Sequence, residues 1–566
     1  MTHRASIERA GLRPALLVLL VVALVVALGA LVPAPAGPAA TPASTTELLA
    51  SSVLLCAGPA DVVASEAQPQ DPTTGIESSV DTVAVPDEAL SAAEVDGDPL
   101  LALDDASTTV RGQSLSVATL ASTVVTATGE LAPGVAAEVS TTARDVRTSG
   151  LAGQACVVPA RDWWFVAGSG QVGQRATLVL GNPAASPAVV DVTIWTESGV
   201  LPGAGTNDLG IPAGDTRAVS LDAVAAGAQR IGVSVTATVG QVGAAVGLRE
   251  VDGADPVGLS WVAASQPPTR VSYVPGVPAS GDRTLRLLNP GDDDALVALR
   301  ALGEQGTFTP LGLEAVDVPA GQVVDVDLSP VGEEAFALEV SANVPVVSSV
   351  LVRQSPADAL ADFAVLSSAT TLAGPAATQL TSADERTADV VLTAVADPAQ
   401  PTPEVTADVP AATPAASQTA SAAGTPDATA EATAATPEAT PDASATASPT
   451  VEPSSQPSLT QVVLRTVDRE GTVLGADVVT LARGTTTTVP VQLPDGVRDA
   501  WVVVVPMEPG VVLAARQTSA TVRVPDALDP DTERDAFWYD LVALRPLRTT
   551  VEVPPVLPDL TAGLPR

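Results

Sequence analysis

The residues that could do chemistry are scarce in this chain of 566 residues. The sequence contains one histidine, His3, and two cysteines, Cys56 and Cys156. A Ser–His–Asp triad needs a histidine as its base, and structural zinc sites take several cysteine or histidine ligands. We therefore predict a protein that is not an enzyme and that has no metal and no cofactor.

Carboxylates are the one abundant reactive group, with 65 Asp and Glu against 27 basic residues. Glycoside hydrolysis uses two carboxylates held at a defined separation. No spacing in the sequence selects such a pair, so a carboxylate-dependent hydrolase is the weaker alternative.

Residues 289–294, NPGDDD, also gather oxygen atoms as calcium requires. Because the similar turn at 181–187 lacks the acids, we interpret this segment as an acidic turn.

Two further residue types could contact a ligand. The tryptophans could stack on sugar rings, but they lie in strand motifs that end repeated units, which favours packing. Three arginines follow a PAG or ARG turn at similar spacing, which indicates ion pairs with Asp more than a ligand contact. These residues are Trp163, Trp164, Trp261 and Trp538, and Arg249, Arg353 and Arg516.

An apolar segment near the N-terminus predicts export. Residues 15–32 contain no polar side chain, and Arg4, Arg9 and Arg13 precede them. The length suits a transmembrane anchor, and the arginines keep residues 1–14 in the cytoplasm. A cleaved signal ending near residues 34–36 is the alternative. We expect a single-pass membrane protein, or else a secreted one, with a Pro-rich linker at 33–46 and its bulk outside the cytoplasm.

Export bears on the cysteines and on the charge. Two cysteines in an extracytoplasmic chain favour a disulfide between Cys56 and Cys156. The formal charge of −38, with arginine as the only strong base, repels nucleic acid and anionic lipid surfaces. We therefore expect no nucleic-acid partner, and contact with the membrane through the N-terminal helix alone.

Internal repeats indicate the architecture. ATLVLGNP from Ala176 matches RTLRLLNP from Arg283, and IPAGDTRAVSLD from Ile211 matches VPAGQVVDVDLS from Val318. Both pairs are offset by the same number of residues, which predicts duplicated domains. Alternating apolar residues between Gly, Pro and Asn turns are typical of half-buried strands. We predict an all-β fold of tandem immunoglobulin- or fibronectin-III-like antiparallel β-sandwiches after one N-terminal transmembrane helix.

Four sandwiches are expected. Two repeats span 171–267 and 268–370, and a third spans 386–552 before a tail at 553–566. A degenerate copy at 47–170 contains the disulfide, with ASSVLLCAGP taken as the counterpart of ATLVLGNP and WWFVAGS as the closing strand.

Residues 398–458 interrupt the third full repeat. They are Ala, Thr, Pro and Ser with scattered acids, a composition that predicts disorder. The flanking strands resemble the two strands around the NP turn, so we interpret the tract as an insertion in a hairpin of that sandwich, with its ends about one strand spacing (~5 Å) apart. A linker between domains is the alternative.

The LGNP and PAG motifs, WWFVAGS and the two cysteines resemble an uncharacterised actinobacterial secreted or membrane-anchored family, domain of unknown function 5719. The resemblance covers about residues 47–550 and implies a β-rich envelope protein with no catalytic residue. We predict a non-catalytic extracytoplasmic scaffold or interaction protein of the bacterial cell envelope, whose partners are other envelope proteins or cell-wall glycans. A carbohydrate-binding or adhesive surface protein is the alternative.

Overall fold

The computed structural model describes residues 45–63, 75–91, 94–202, 206–395, 458–529 and 531–553. These residues form 35 strands, three one-turn α-helices and three 3₁₀ turns, so the predicted all-β fold is confirmed. The α-helices are Ala60–Val63 (α1), Glu88–Ser91 (α2) and Leu221–Val224 (α3). No helix in the described ranges is long and apolar enough to cross a membrane. His3, segments 1–14 and 15–32, and nearly all of 33–46, 398–458 and 553–566 lie outside them.

The strands of residues 162–262 form a five-stranded and a four-stranded antiparallel sheet, which we call the second sheet pair. In chain order the strands are Asp162–Val166 (β10), Gln174–Gly181 (β11), Ala188–Thr196 (β12), Gly199–Val200 (β13), Leu209–Ile211 (β14), Thr216–Ser220 (β15), Gly232–Val239 (β16), Gly243–Asp252 (β17) and Asp255–Val262 (β18). The five-stranded sheet has the order β10-β16-β12-β13, and the short β14 also pairs with β12. The four-stranded sheet has the order β15-β11-β17-β18.

Three other chain segments have the same strand order, namely 51–155, 269–367 and 376–543, the first, third and fourth sheet pairs. The first contains Ser51–Cys56 (β2), Ile76–Ala84 (β3), Leu100–Leu103 (β4), Ala106–Thr108 (β5), Ser114–Ala118 (β6), Thr123–Thr128 (β7), Val135–Asp145 (β8) and Thr148–Ala155 (β9). The third contains Thr269–Val277 (β19), Asp282–Leu288 (β20), Ala295–Gly303 (β21), Gly306–Phe308 (β22), Val316–Val318 (β23), Val323–Asp327 (β24), Phe336–Gln354 (β25) and Asp362–Ser367 (β26). The fourth contains Ala376–Thr381 (β27), Thr387–Ala394 (β28), Leu459–Val467 (β29), Val473–Ala482 (β30), Thr486–Val491 (β31), Asp499–Pro506 (β32), Val512–Pro525 (β33) and Glu533–Ala543 (β34).

Alternation of apolar residues explains why these segments are strands. In β12, every second residue from Ala188 to Ile194 is buried, and the residues between them are half-buried. In β21 the same alternation runs from Ala295 to Ala301. Because successive side chains point to opposite faces, one face of each strand enters a core. Each core is made mainly of Val, Leu and Ala contributed by both sheets of its pair.

The long strand β25 serves both sheets of the third pair. Its first part pairs with β19 and β21, and its second part pairs with β20 and β26. It therefore occupies the positions that β16 and β17 share in the second pair. Separately, the short strands Thr45–Leu48 (β1) and Thr550–Val553 (β35) pair antiparallel in a unit of their own.

One strand lies in a different unit from the one predicted. WWFVAGS was expected to close the segment 47–170, but Trp163 and its neighbours in β10 pair with β16. β10 therefore opens the second sheet pair, and the first pair ends with β9. In the first pair, the strand at the position of ATLVLGNP is β3, not ASSVLLC. Every half-buried strand has the same period-2 pattern, so the pattern does not distinguish one strand from the next. The predicted alignment of the first unit with the other repeats was therefore wrong by one strand.

The four sheet pairs contact one another in a closed cycle. Apolar clusters join the first pair to the second, the second to the third, the third to the fourth, and the fourth back to the first. Across the last of these contacts, the Ser114 amide donates to Arg469 O. The arrangement is a closed ring and not an open row of modules.

The tract that contains residues 396–457 connects two strands of the fourth pair. The strand before it, β28, belongs to one sheet, and the strand after it, β29, belongs to the facing sheet. The expected hairpin is therefore wrong, because facing sheets are about 10 Å apart and not one strand spacing. Both ends bond to one turn: Ser458 O accepts from the Arg483 amide, and Ala394 O accepts from the Gly484 amide.

A disulfide joins Cys56, at the end of β2, to Cys156, just after β9. These strands belong to different sheets of the first pair, so the bond links the two layers. The predicted disulfide is confirmed.

We expect the double substitution C56S/C156S to lower the free energy of unfolding of the first sheet pair by about 2–4 kcal/mol, because the unfolded chain is no longer closed into a long loop. Chemical denaturation measures this change. A reductant should bring the native chain to the variant's midpoint and leave the variant unchanged. Equal midpoints for the oxidised chain and the variant would contradict the prediction.

Candidate functional site

The closing strands of the four sheet pairs meet at the centre of the ring. β9 packs against β18, β18 against β26, β26 against β34, and β34 against β9. Two acidic side chains are buried at this junction, Asp362 and Asp540.

Asp362 lies at this junction and is 1% exposed. Its Oδ2 accepts hydrogen bonds from the amides of Leu151 and Tyr539, at 3.0 and 2.9 Å. Its Oδ1 accepts from the amides of Phe363 and Leu259, at 2.9 and 3.4 Å. The four donors come from four different sheet pairs, so one carboxylate bonds to the whole ring.

Glycine makes room for this carboxylate. A Cβ on Gly150 would lie 3.0 Å from Asp362 Oδ1 and 2.7 Å from the Leu259 amide nitrogen. Any larger residue would therefore push β9 away from the carboxylate.

Burial raises the pKa of Asp362 well above its ordinary value, while the backbone donors act in the opposite direction. A carboxyl whose pKa is raised on folding stabilises the fold below its unfolded pKa of about 3.9 and loses that contribution as the pH rises through the window above it. We expect the free energy of unfolding of the native chain to fall relative to D362N as the pH rises from about 4. Denaturation of both proteins over a pH series checks this, and parallel pH profiles would contradict it.

A second buried cluster joins the first and fourth sheet pairs. Arg516 donates through Nη1 to Glu138 Oε2 at 2.7 Å and through Nη2 to Asp540 Oδ2 at 2.8 Å. All three side chains are at least 93% buried. Burial raises the pKa of Glu138, although the charge of Arg516 acts in the opposite direction. Burial by itself would lower the pKa of Arg516, but the two carboxylates raise it.

The three predicted arginines do not share one environment. Arg249 donates to Thr148 Oγ1, and Arg353 pairs with Glu250 at 2.6 Å, in both cases between sheet pairs. Arg516 is the arginine whose partners include an Asp on the neighbouring strand of its own sheet. The expected ion pair with an Asp is therefore present at Arg516, whereas Arg353 pairs with a glutamate of another sheet pair and Arg249 bonds to a hydroxyl.

The NP turns are held by their asparagines. Asn289 Nδ2 donates to Asp293 O and to Val318 O, and its Oδ1 accepts from the Gly291 amide. Asn182 bonds in the same way to Ser186 O and Ile211 O. Each asparagine thus ties the NP turn to the PAG turn, which explains why both motifs recur together.

In the described ranges no group of three or more His, Cys, Asp or Glu could hold a metal ion.

The four tryptophans pack inside or between sheet pairs. Trp163 belongs to the core of the second pair, and Trp164 contacts Trp195 with ring centroids 5.5 Å apart. Trp261 is 3% exposed between the first and second pairs, and Trp538 is fully buried beside Leu151 of the first pair. Trp163, Trp261 and Trp538 are therefore buried away from any sugar ring, and Trp164 is half-buried beside Trp195.

A polar groove of about 560 Å³ runs between the first and fourth sheet pairs. Its floor is the outer face of the sheet that contains β3, β6 and β8, and its other wall comes from the fourth pair. The lining is rich in side-chain hydroxyls: Ser78, Ser79, Ser116, Thr119, Ser140, Thr142 and Thr381.

Two acids and one arginine that line this groove already have partners. Asp81 Oδ2 accepts from Ser79 Oγ at 2.9 Å, and Arg469 pairs with Asp499 at 2.8 Å. Burial raises the pKa of Asp81, although serine hydroxyls and Arg469 oppose the shift. Hydroxyls act as donors and acceptors at once, so the groove suits a neutral polyhydroxylated ligand.

Sequence reasoning missed most of these residues. Arg516 was singled out, but Glu138, Asp362, Asp540 and Asp81 were not. A usable signal exists for Glu138 and Asp540, because each carboxylate lies between two large or apolar residues within its strand, and an unpaired acid is rarely buried. The sequence around Asp362 gives no such signal, since it begins its strand, where an exposed acid is common.

Comparison with protein families gives one match. The model described as a family of unknown function, DUF5719, matches residues 107–411. Comparison with curated proteins and with solved structures gives no match. The resemblance seen in the sequence is confirmed over the matched range.

Proposed function

The chain belongs to the DUF5719 family of unknown function, and from this premise we propose that it is a non-catalytic, extracytoplasmic scaffold of the bacterial cell envelope. In this proposal the ring supplies a rigid body, and one exposed strand edge receives a partner. The four sheet pairs are immunoglobulin- or fibronectin-III-like repeats, which their common strand order and the paired NP and PAG turns support. The apolar segment 15–32 anchors the ring to the membrane.

The observation that carries the proposal is strand β30. It is the outermost strand of its sheet, and no further strand of the described chain pairs with it. The strands at the same position in the other pairs, β5, β13 and β22, have three, two and three residues. β30 has ten residues, and Val473 and Val478 are 50% and 62% exposed.

A long edge strand of this kind is a binding feature. Edge strands are normally kept short or protected by charge and proline, because their free amides and carbonyls pair with another strand. β30 contains one charged residue, Asp477, and no proline. It therefore suits a partner that adds an extended segment to the sheet, with backbone hydrogen bonds for affinity and side-chain pockets for specificity.

Site-specific photo-crosslinking tests this function. A photoreactive residue at Val478 should capture a defined envelope protein in intact cells. The matched control is Leu311, which is 84% exposed in the third sheet pair. Capture of the same proteins from both positions, or of none from either, would argue against a partner at β30.

The polar groove favours a second candidate, binding of a cell-wall glycan. Its hydroxyl lining supports this role, whereas the buried Trp261 does not. We expect S140A/T142V, which removes two hydroxyls from the floor, to weaken binding of purified wall polysaccharide about tenfold. Substitution of the exposed Thr238 by Val should have no effect. Polymer hydrolysis that D81N abolishes would instead favour a carboxylate-dependent hydrolase.

A further inference from the structure

An apolar cavity of about 280 Å³ lies where the first, second and fourth sheet pairs meet. Its walls are mainly aliphatic, with one aromatic ring: Leu54, Val135, Val157, Trp163, Val542 and Leu544. Ligand pockets usually measure about 300–1,000 Å³. This cavity is slightly smaller than that range, so it suits one slender chain and not a two-chain lipid.

Among the residues that the structure describes, no acid pairs with Arg545, an arginine that lines this cavity. Arg545 follows β34, and its Nη2 donates to Ala264 O. No carboxylate in the described ranges forms an ion pair with Arg545, and burial lowers its pKa. The buried Arg516 and Arg386, by contrast, each have acidic partners. Glu138 also lines the cavity, but its Oε2 already accepts from Arg516 and from the Gln379 amide.

The apolar walls and the arginine together indicate which class of ligand fits the cavity. Apolar walls bind a hydrocarbon chain, and a planar guanidinium binds a carboxylate through two parallel hydrogen bonds. The net charge of the molecule does not attract an anion to this cavity, because the formal charge is −38. Recognition must therefore be local, at Arg545, with the exposed Arg548 also lining the cavity.

We propose that this cavity binds a single-chain fatty-acid carboxylate, with the chain between the sheet pairs and the carboxylate on Arg545. The inference adds a small-molecule ligand to the chain and does not depend on the proposed scaffold role.

Calorimetry with decanoate and with decanol tests the proposal on the unmodified chain. Both probes have the same hydrocarbon chain, but only decanoate is charged, so we expect it to bind at least about tenfold more tightly. 10-Bromodecanoic acid should also quench the fluorescence of Trp163, and W163F should lose that part of the quenching. Equal affinities for decanoate and decanol, or no binding of either, would overturn the proposal.

Three variants locate the site. R545Q should remove the preference for decanoate over decanol, while R270Q, at an exposed arginine of the third pair, should keep it. A543L fills the cavity and should abolish binding of both probes. Because R545Q could disturb folding, the comparison of probes on the native chain and the A543L result stand independently of it. Unchanged binding in A543L, or tighter binding of decyl phosphate than of decanoate, would refute a fatty-acid site.

Discussion

Replacing Asp362 with alanine is expected to destabilise the whole ring, by about 4 kcal/mol or more. The substitution leaves four backbone amides without an acceptor, and each unsatisfied buried donor costs about 1–3 kcal/mol. The amides belong to Leu151, Leu259, Phe363 and Tyr539, one from each sheet pair. The loss is therefore shared by all four pairs and not confined to the third.

Two measurements check this prediction. Chemical denaturation should show a lower midpoint for D362A, and hydrogen exchange should become faster at Leu151, Leu259 and Tyr539 together. D282A is the control, because Asp282 also begins a strand of the third pair but is exposed. If D362A has the native midpoint, or if only amides of the third pair lose protection, Asp362 does not hold the ring together.

Replacing Arg516 with methionine is also expected to lower the free energy of unfolding by a large amount. The variant leaves the carboxylates of Glu138 and Asp540 buried without a cation, and removal of one partner from a buried ion cluster costs about 3–5 kcal/mol. Thermal or chemical denaturation of R516M should show this loss. The triple variant E138Q/R516M/D540N should recover part of it, because its amides carry no charge and still accept from the Gln379 and Gly153 amides.

A control exists on the same two strands. Arg523 and Asp535 also pair between β33 and β34, but at 3.8 Å and with 76% and 53% of their side chains exposed. An exposed pair of this kind contributes about 0–1 kcal/mol, so R523M should be nearly neutral. Similar losses in R516M and R523M, or no recovery in the triple variant, would exclude a buried-charge origin.

Local patterns predict the strands of this molecule and not their assembly. The alternation in β12 and β21 follows from burial of one face, so it can be read from a short window. The same property caused the error at Trp163, because an alternating strand does not reveal which sheet it joins. The paired cysteines were identified from compartment chemistry, and the paired NP and PAG turns from their spacing.

The centre of the ring could not be derived in this way. Asp362 contacts residues 103 and 211 positions away in the chain, Leu259 and Leu151. Such contacts arise only when the ring closes. The acids after Asn289 were interpreted as an acidic turn, but the sequence did not indicate that the side-chain amide of Asn289 holds this turn through its own hydrogen bonds.

Because the ring is closed, the contacts between sheet pairs do not depend on which pair comes first along the chain. The Leu49 amide donates to Thr549 O, so the two ends of the four-pair unit are hydrogen-bonded neighbours. A short peptide could join them, and new termini could be opened between β9 and β10, where the chain passes from the first pair to the second. Such a circular permutant would keep every contact between pairs, with the former first pair now following the fourth along the chain.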